Sequence, residues 1–171
     1  MRLARHLLVI LVALLAVGAT SSIQPAAAAG DDYLWRTDTS RTGDWFNFTK
    51  RQCVSFAAWE LYQRKATINN SARSPWGNAS NWDAVAVRFN KSVTRTPRIG
   101  SIAQWHANER SLYYSNMTTP NGYVQAGGYG HVAVVVGVYG DNSVKVEQYN
   151  MSGNRSFSVM RVKAPRYIFV G

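Results

Sequence analysis

The chain has 171 residues, with 19 Lys and Arg against 9 Asp and Glu, a net charge of +10, one cysteine and 46% hydrophobic residues. A single cysteine excludes an internal disulfide and a cysteine-rich metal site, and the hydrophobic content with 16% charged residues excludes an intrinsically disordered chain. The length suits one compact domain, and the basic balance points to an anionic partner: nucleic acid, a membrane surface or an acidic polymer.

Residues 1–29 read as a secretory signal peptide. Arg2 and Arg5 precede the apolar run LLVILVALLAV, and a small-residue stretch ends in AAAA. The run is too short for a stable membrane span, which needs about 20 apolar residues. Cleavage is expected after Ala28 or Ala29, and no cysteine follows the run to carry a lipid anchor. The exported unit, 30–171, keeps 17 basic and 9 acidic residues and all 21 aromatics, a composition that suggests a compact core and a groove for a large ligand.

Residues 31–50 are polar and aromatic without a sustained period and are expected to form an irregular arm. RQCVSFAAWELYQRK lacks Gly and Pro and repeats apolar residues at three and four spacings, which predicts a helix over 52–65. Residues 69–78 read as a loop. Ser80 followed by Asp83 resembles a capping signal for a second helix over 81–89. After Pro97 the pattern becomes β: SIAQW, then HVAVVVGVY and SVKVEQY joined by Gly140-Asp141-Asn142, then SFSVMRV and RYIFV divided by Pro165. Helices followed by an antiparallel sheet predict an α+β fold.

Cys53 falls in the first turn of the first helix, just after Lys50 and Arg51. A helix N-terminus and nearby cations both lower a thiol pKa, so Cys53 is a candidate nucleophile; a small buried hydrophobe is the competing reading. Beyond residue 29 the histidines are His106 and His131. His131 begins an apolar strand after GGYG and is the better candidate base, whereas His106 is expected to be a solvated surface residue. In SVKVEQYN the period of two puts Val144, Val146, Gln148 and Asn150 on one face. If that face is inward, Gln148 and Asn150 reach the active end, and Glu147 is a surface partner of Lys145; a bulge would reverse the assignment. No metal or cofactor is suggested by two scattered histidines and one cysteine.

RQCVSFAAWEL, WGNASNW, TPRIGSIAQW, GHVAVVVGV and VEQYN, in this order, resemble the CHAP family of cysteine, histidine-dependent amidohydrolases/peptidases over about residues 45–170. The resemblance implies a papain-like or NlpC-like fold, N-terminal helices packed on an antiparallel sheet. It also implies cleavage of peptidoglycan as an N-acetylmuramoyl-L-alanine amidase or endopeptidase, with Cys53 as nucleophile and His131 as base. Gln148 stands where members carry Glu, with Glu147 beside it, so the residue that orients the imidazole is open among Gln148, Asn150 and Glu147. Backbone amides around Cys53, with Gln52, are candidates for the oxyanion site. The stretch between Trp105 and His131 is longer than the usual family connection. Its Tyr113, Tyr114, Tyr123 and Tyr129 are expected to form either a flap over the groove or an ordered surface loop.

The expected protein is secreted, monomeric and wall-associated, acting on peptidoglycan and anionic wall polymers and not on nucleic acid. The alternative is a secreted wall-binding or toxin-like protein that keeps the fold without useful turnover, a reading that Gln148 in place of an acid supports.

Overall fold

The computed structural model describes residues 30–171; the expected export segment lies outside them. Helix α1 spans Cys53–Gln63, a little shorter than the pattern predicts. Lys65 adopts a positive φ of 61°, and the amides of Lys65 and Ala66 turn back to Tyr62 O and Leu61 O, both at 2.9 Å. This closes the helix by satisfying its last carbonyls. Two short strands, β1 (Asn70–Ser71) and β2 (Ser74–Pro75), follow. A 3-10 turn, Ala79–Asn81, then leads into α2, Trp82–Arg88.

The expected Ser80–Asp83 cap does not form. The Ser80 amide donates to Tyr129 O at 3.0 Å, and Asp83 Oδ1 accepts from the Ala84 amide and from Gln104 Nε2. Tertiary partners outcompete the local capping geometry.

The remaining strands are β3 (Ser92–Thr94), β4 (Ile102–Trp105), β5 (Arg110–Ser115), β6 (Thr119–Gln125), β7 (His131–Val138), β8 (Val144–Tyr149), β9 (Phe157–Lys163) and β10 (Arg166–Phe169). They form one sheet in the order β3-β10-β4-β7-β8-β9-β5-β6, antiparallel at every pairing. The class is α+β. The region between Trp105 and His131 is corrected from a loop or flap to the β5–β6 hairpin, which extends the sheet beyond β9. Its turn places Asn116 and Met117 at φ 49° and 63°, a left-handed pair that suits the twist of a tight hairpin.

The alternation of β7 builds two cores. Val132, Val134 and Val136 face α1 and pack with Phe56, Ala57, Leu61, Ile102 and Tyr149. Ala133 and Val135 face the other way, with Trp105, Val144, Val146, Val162 and Tyr167. The arm, 31–50, is irregular as expected, apart from a single bridge between Gly43 and Thr49. It is tied to the sheet where the Tyr149 hydroxyl donates to the Asp31 carboxylate at 2.6 and 2.7 Å. Among the described residues no helix is long and apolar enough to cross a membrane.

Candidate functional site

The turn before α1 is held by a buried relay. The Arg51 amide donates to the Tyr33 hydroxyl at 3.0 Å, Tyr33 bonds Ser55 Oγ, and Ser55 donates to Asp44 Oδ2. Asp44 Oδ1 also accepts the amides of Phe46 and Phe48 at 2.8 and 2.9 Å. Tyr33 and Ser55 are fully buried, so this chain fixes the backbone on both sides of Cys53, the first residue of α1.

Cys53 is half-buried and lines a groove of about 910 Å³ together with Gln52, Asn78, Gly127, Tyr129 and His131. Burial pushes its thiol up to about 11, against the smaller favourable effect of the Val132, Val54 and Cys53 amides on the thiolate. The sequence expectation of a depressed thiol pKa is therefore corrected. Lys50, one of the two cations counted on, points elsewhere: its Nζ is 2.7 Å from Asp38 Oδ2. The helix-end amides act in the expected direction, but desolvation outweighs them.

His131 opens β7 and is buried. Gly130 before it has φ +75°, and a Cβ there would lie 2.6 Å from both the Ser80 amide nitrogen and the Trp105 carbonyl oxygen. The glycine thus serves close backbone packing beside His131. Nε2 of His131 lies 2.7 Å from Gln148 Oε1, and the Gln148 amide nitrogen faces Ser158 Oγ at 3.3 Å. An amide oxygen only accepts, so the pair puts the imidazole proton on Nε2 and leaves Nδ1 with its lone pair. Burial pulls the His131 pKa down to about 4, with the Gln148 bond opposing the shift. Thiol and imidazole are both neutral at neutral pH.

The other sequence candidates separate. Gln148 shares the face of Val144 and Val146 and reaches His131, as the period of two predicts. Asn150, at φ 65°, lines the groove as expected but bonds groups other than His131: its Nδ2 donates to Gln52 Oε1 at 2.6 Å, and its Oδ1 accepts the Arg155 amide at 2.7 Å. It clamps the residue before Cys53 to the β8–β9 turn. Glu147 is corrected from a surface residue to a buried one. It stands on the α1 face with an unpartnered Oε1, and burial followed by the nearby Asp32 charge raises its pKa.

His106 is exposed as expected, its Nε2 is 2.8 Å from Asp83 Oδ2, and it is not among the residues that line the groove. Of the four tyrosines between Trp105 and His131, Tyr129 lines the groove and Tyr113, Tyr114 and Tyr123 do not. Sequence reasoning missed Arg41, Asn47 and Met151, which also line it. They lie in irregular segments where no period marks a face.

The model of the CHAP domain family matches residues 42–150. The chain is 31% identical over 113 residues to the N-acetylmuramoyl-L-alanine amidase sle1 of Staphylococcus epidermidis, a match covering 64% of this chain and 28% of that protein. It is 33% identical over 103 residues to the staphylococcal secretory antigen SsaA of Staphylococcus aureus, covering 60% of this chain and 30% of the antigen. The chain thus spans less than a third of the length of these relatives. A crystal structure of an N-acetylmuramoyl-L-alanine amidase from Staphylococcus aureus shares the fold with a TM-score of 0.58 at 23% identity, over 82% of this chain and 37% of that one.

Proposed function

The chain belongs to the CHAP domain family, and from that premise we propose that it is a secreted peptidoglycan hydrolase that opens wall amide bonds with Cys53 and His131. The observation that carries the reading is the 2.7 Å bond from His131 to Gln148, which leaves Nδ1 as the free base in the groove that Cys53 also lines. The names of the relatives, an amidase and a secretory antigen, support the substrate and the export. Residues 1–29 serve as the export segment and 30–171 as one catalytic unit, a papain-like or NlpC-like arrangement in which the helix carrying the nucleophile packs on the sheet carrying the base.

Because both groups start neutral, the Cys53 proton passes to His131 Nδ1 as Sγ attacks the amide carbonyl, and no preformed ion pair is required. His131 then gives that proton to the leaving amine, and water clears the thioester with His131 again as base. Gln148 holds the tautomer. The Cys53 amide and Gln52 would receive the oxyanion, a reading supported by the engagement of Gln52 Oε1 by Asn150, which leaves the Gln52 amide N–H groups to donate. Asn150 is thereby a positioning residue. Glu147, facing α1, has no part in the reaction.

A second reading, a wall-binding protein without useful turnover, is favoured by the same raised thiol and by the neutral Gln148. One assay separates the two: purified protein incubated with peptidoglycan, the soluble fragments identified by mass spectrometry. Release of fragments with new amine ends, abolished in Cys53→Ala and His131→Ala but retained in His106→Ala, is the expected outcome, and the fragments name the bond. Undiminished release by Cys53→Ala would overturn the assignment, and binding without release would favour the second reading.

A further inference from the structure

The charges around the groove are one-sided. Arg41 and Arg155 line it, and among the described residues no Asp or Glu does. Arg155 is committed to structure: its guanidinium donates to Thr39 O at 3.2 Å, Ser40 O at 2.6 Å and Lys50 O at 2.8 Å. Its Nε is buried without a hydrogen-bond partner, and it makes no ion pair among the described residues. These bonds immobilise the arm on the N-terminal side of Arg41. On the other side the Lys50 amide donates to Thr42 O at 3.2 Å, and Lys50 Nζ donates to Thr42 Oγ1 at 3.1 Å. The backbone at Arg41 is therefore anchored on both flanks, while its side chain is exposed and makes no ion pair among the described residues. A guanidinium carried on an anchored backbone at a groove wall, with no ion-paired carboxylate among the described residues, is a two-pronged receptor for a planar oxyanion.

Building on the hydrolase reading above, we propose that this groove selects wall peptides bearing a free carboxylate close to the bond to be cut, and that Arg41 is the specificity-determining residue that pairs with it. Arg155 contributes field and the fixed backbone, not the contact. A carboxamide at the same place loses the charge-assisted pair and presents N–H donors to a cation, so amidated walls are the poor substrates. A single available fork matches one carboxylate.

The test is a binding measurement, so it does not depend on turnover. Full-length protein carrying Cys53→Ala is titrated calorimetrically with a disaccharide-peptide wall fragment whose stem carboxylates are free, and with the same fragment after their conversion to carboxamides. The carboxylate form is expected to bind about tenfold more tightly, as one charge-assisted bidentate pair allows. Adding Arg41→Gln should bring the two affinities together, and Arg41→Lys should restore part of the difference. Equal affinity for the two fragments, a preference that survives Arg41→Gln, or binding of neither fragment would overturn the proposal. So would displacement of the carboxylate fragment by inorganic phosphate at equal concentration, since that is a general anion site. Fragment release by the unsubstituted protein, measured in parallel, reports separately on the hydrolase reading: digestion of both walls at equal rates with equal binding leaves the hydrolase standing and removes the selectivity.

Discussion

At the scale of single residues, the site consists of two neutral groups held apart in pKa by burial. On the proposed mechanism His131, lowered to about 4, would set the acid limb of kcat/KM, which is then expected near pH 4 instead of near the ordinary imidazole value of about 6.5. Replacing the neutral acceptor by a carboxylate, Gln148→Glu, favours imidazolium by an opposite charge at hydrogen-bond distance. The His131 titration, followed by proton NMR of the ring, should then move up, and the acid limb of activity should move with it. An unmoved titration would show that Gln148 does not govern the ring. The same shift is a stability statement. Between pH 6.5 and 4 the unfolded chain binds a proton at His131 that the folded chain refuses, so this contribution is complete above pH 6.5 and is lost as pH falls toward 4. At 1.36 kcal/mol per pKa unit it amounts to about 3 kcal/mol. Urea denaturation at pH 7 and pH 4.5 should show a smaller loss of stability for His131→Ala than for the unsubstituted protein, because the variant lacks the titrating group.

At the scale of elements, the site depends on where chain segments meet, and one glycine tests this directly. Gly130→Ala would need a left-handed alanine whose Cβ lies 2.6 Å from two backbone atoms, on the turn before α2 and at the end of β4. The expected cost is about 2–4 kcal/mol from overpacking and backbone strain together, read as a lowered urea midpoint, with activity lost through displacement of His131. This position also shows what the sequence made legible. The helix beginning at Cys53 and the β7–β8 hairpin are local patterns, and the period of two carried Gln148 onto the His131 face without any tertiary information. Three features resisted such reading because their causes are non-local. The thiol pKa is set by burial, which no count of neighbouring cations registers, and Lys50 is drawn away to Asp38, twelve positions earlier. Glu147 looked like a surface partner of Lys145, yet its face is covered by α1, whose Glu60 is itself buried. The β5–β6 hairpin has no local signal at its turn, Asn116-Met117-Thr118 between the paired Ser115 and Thr119, which lacks glycine, although Leu112, Tyr114 and Tyr123 mark strand-forming segments.

At the scale of the whole molecule, the 17 basic and 9 acidic residues of 30–171, a surplus of eight positive charges, are unevenly committed. Within the described residues Asp38, Glu60, Asp141, Glu109 and Asp83 each sit within ion-pair distance of a Lys or Arg, so most of the acidic side chains are already spoken for. The surplus cations are left on the surface, where they act through their summed field and not through specific contacts. A cell wall rich in phosphate and carboxylate would concentrate such a protein by an attraction that salt screens, since the Debye length falls from about 10 Å at 0.1 M to about 3 Å at 1 M. Retention of Cys53→Ala protein on isolated walls, measured by sedimentation, should therefore weaken on the order of tenfold between about 0.05 M and 0.5 M sodium chloride. Arg41→Gln should leave most of this salt dependence in place, because it removes one charge of the surplus. Retention that ignores salt would place wall attachment in the groove and its short-range contacts, leaving the basic surface without a role in reaching the substrate.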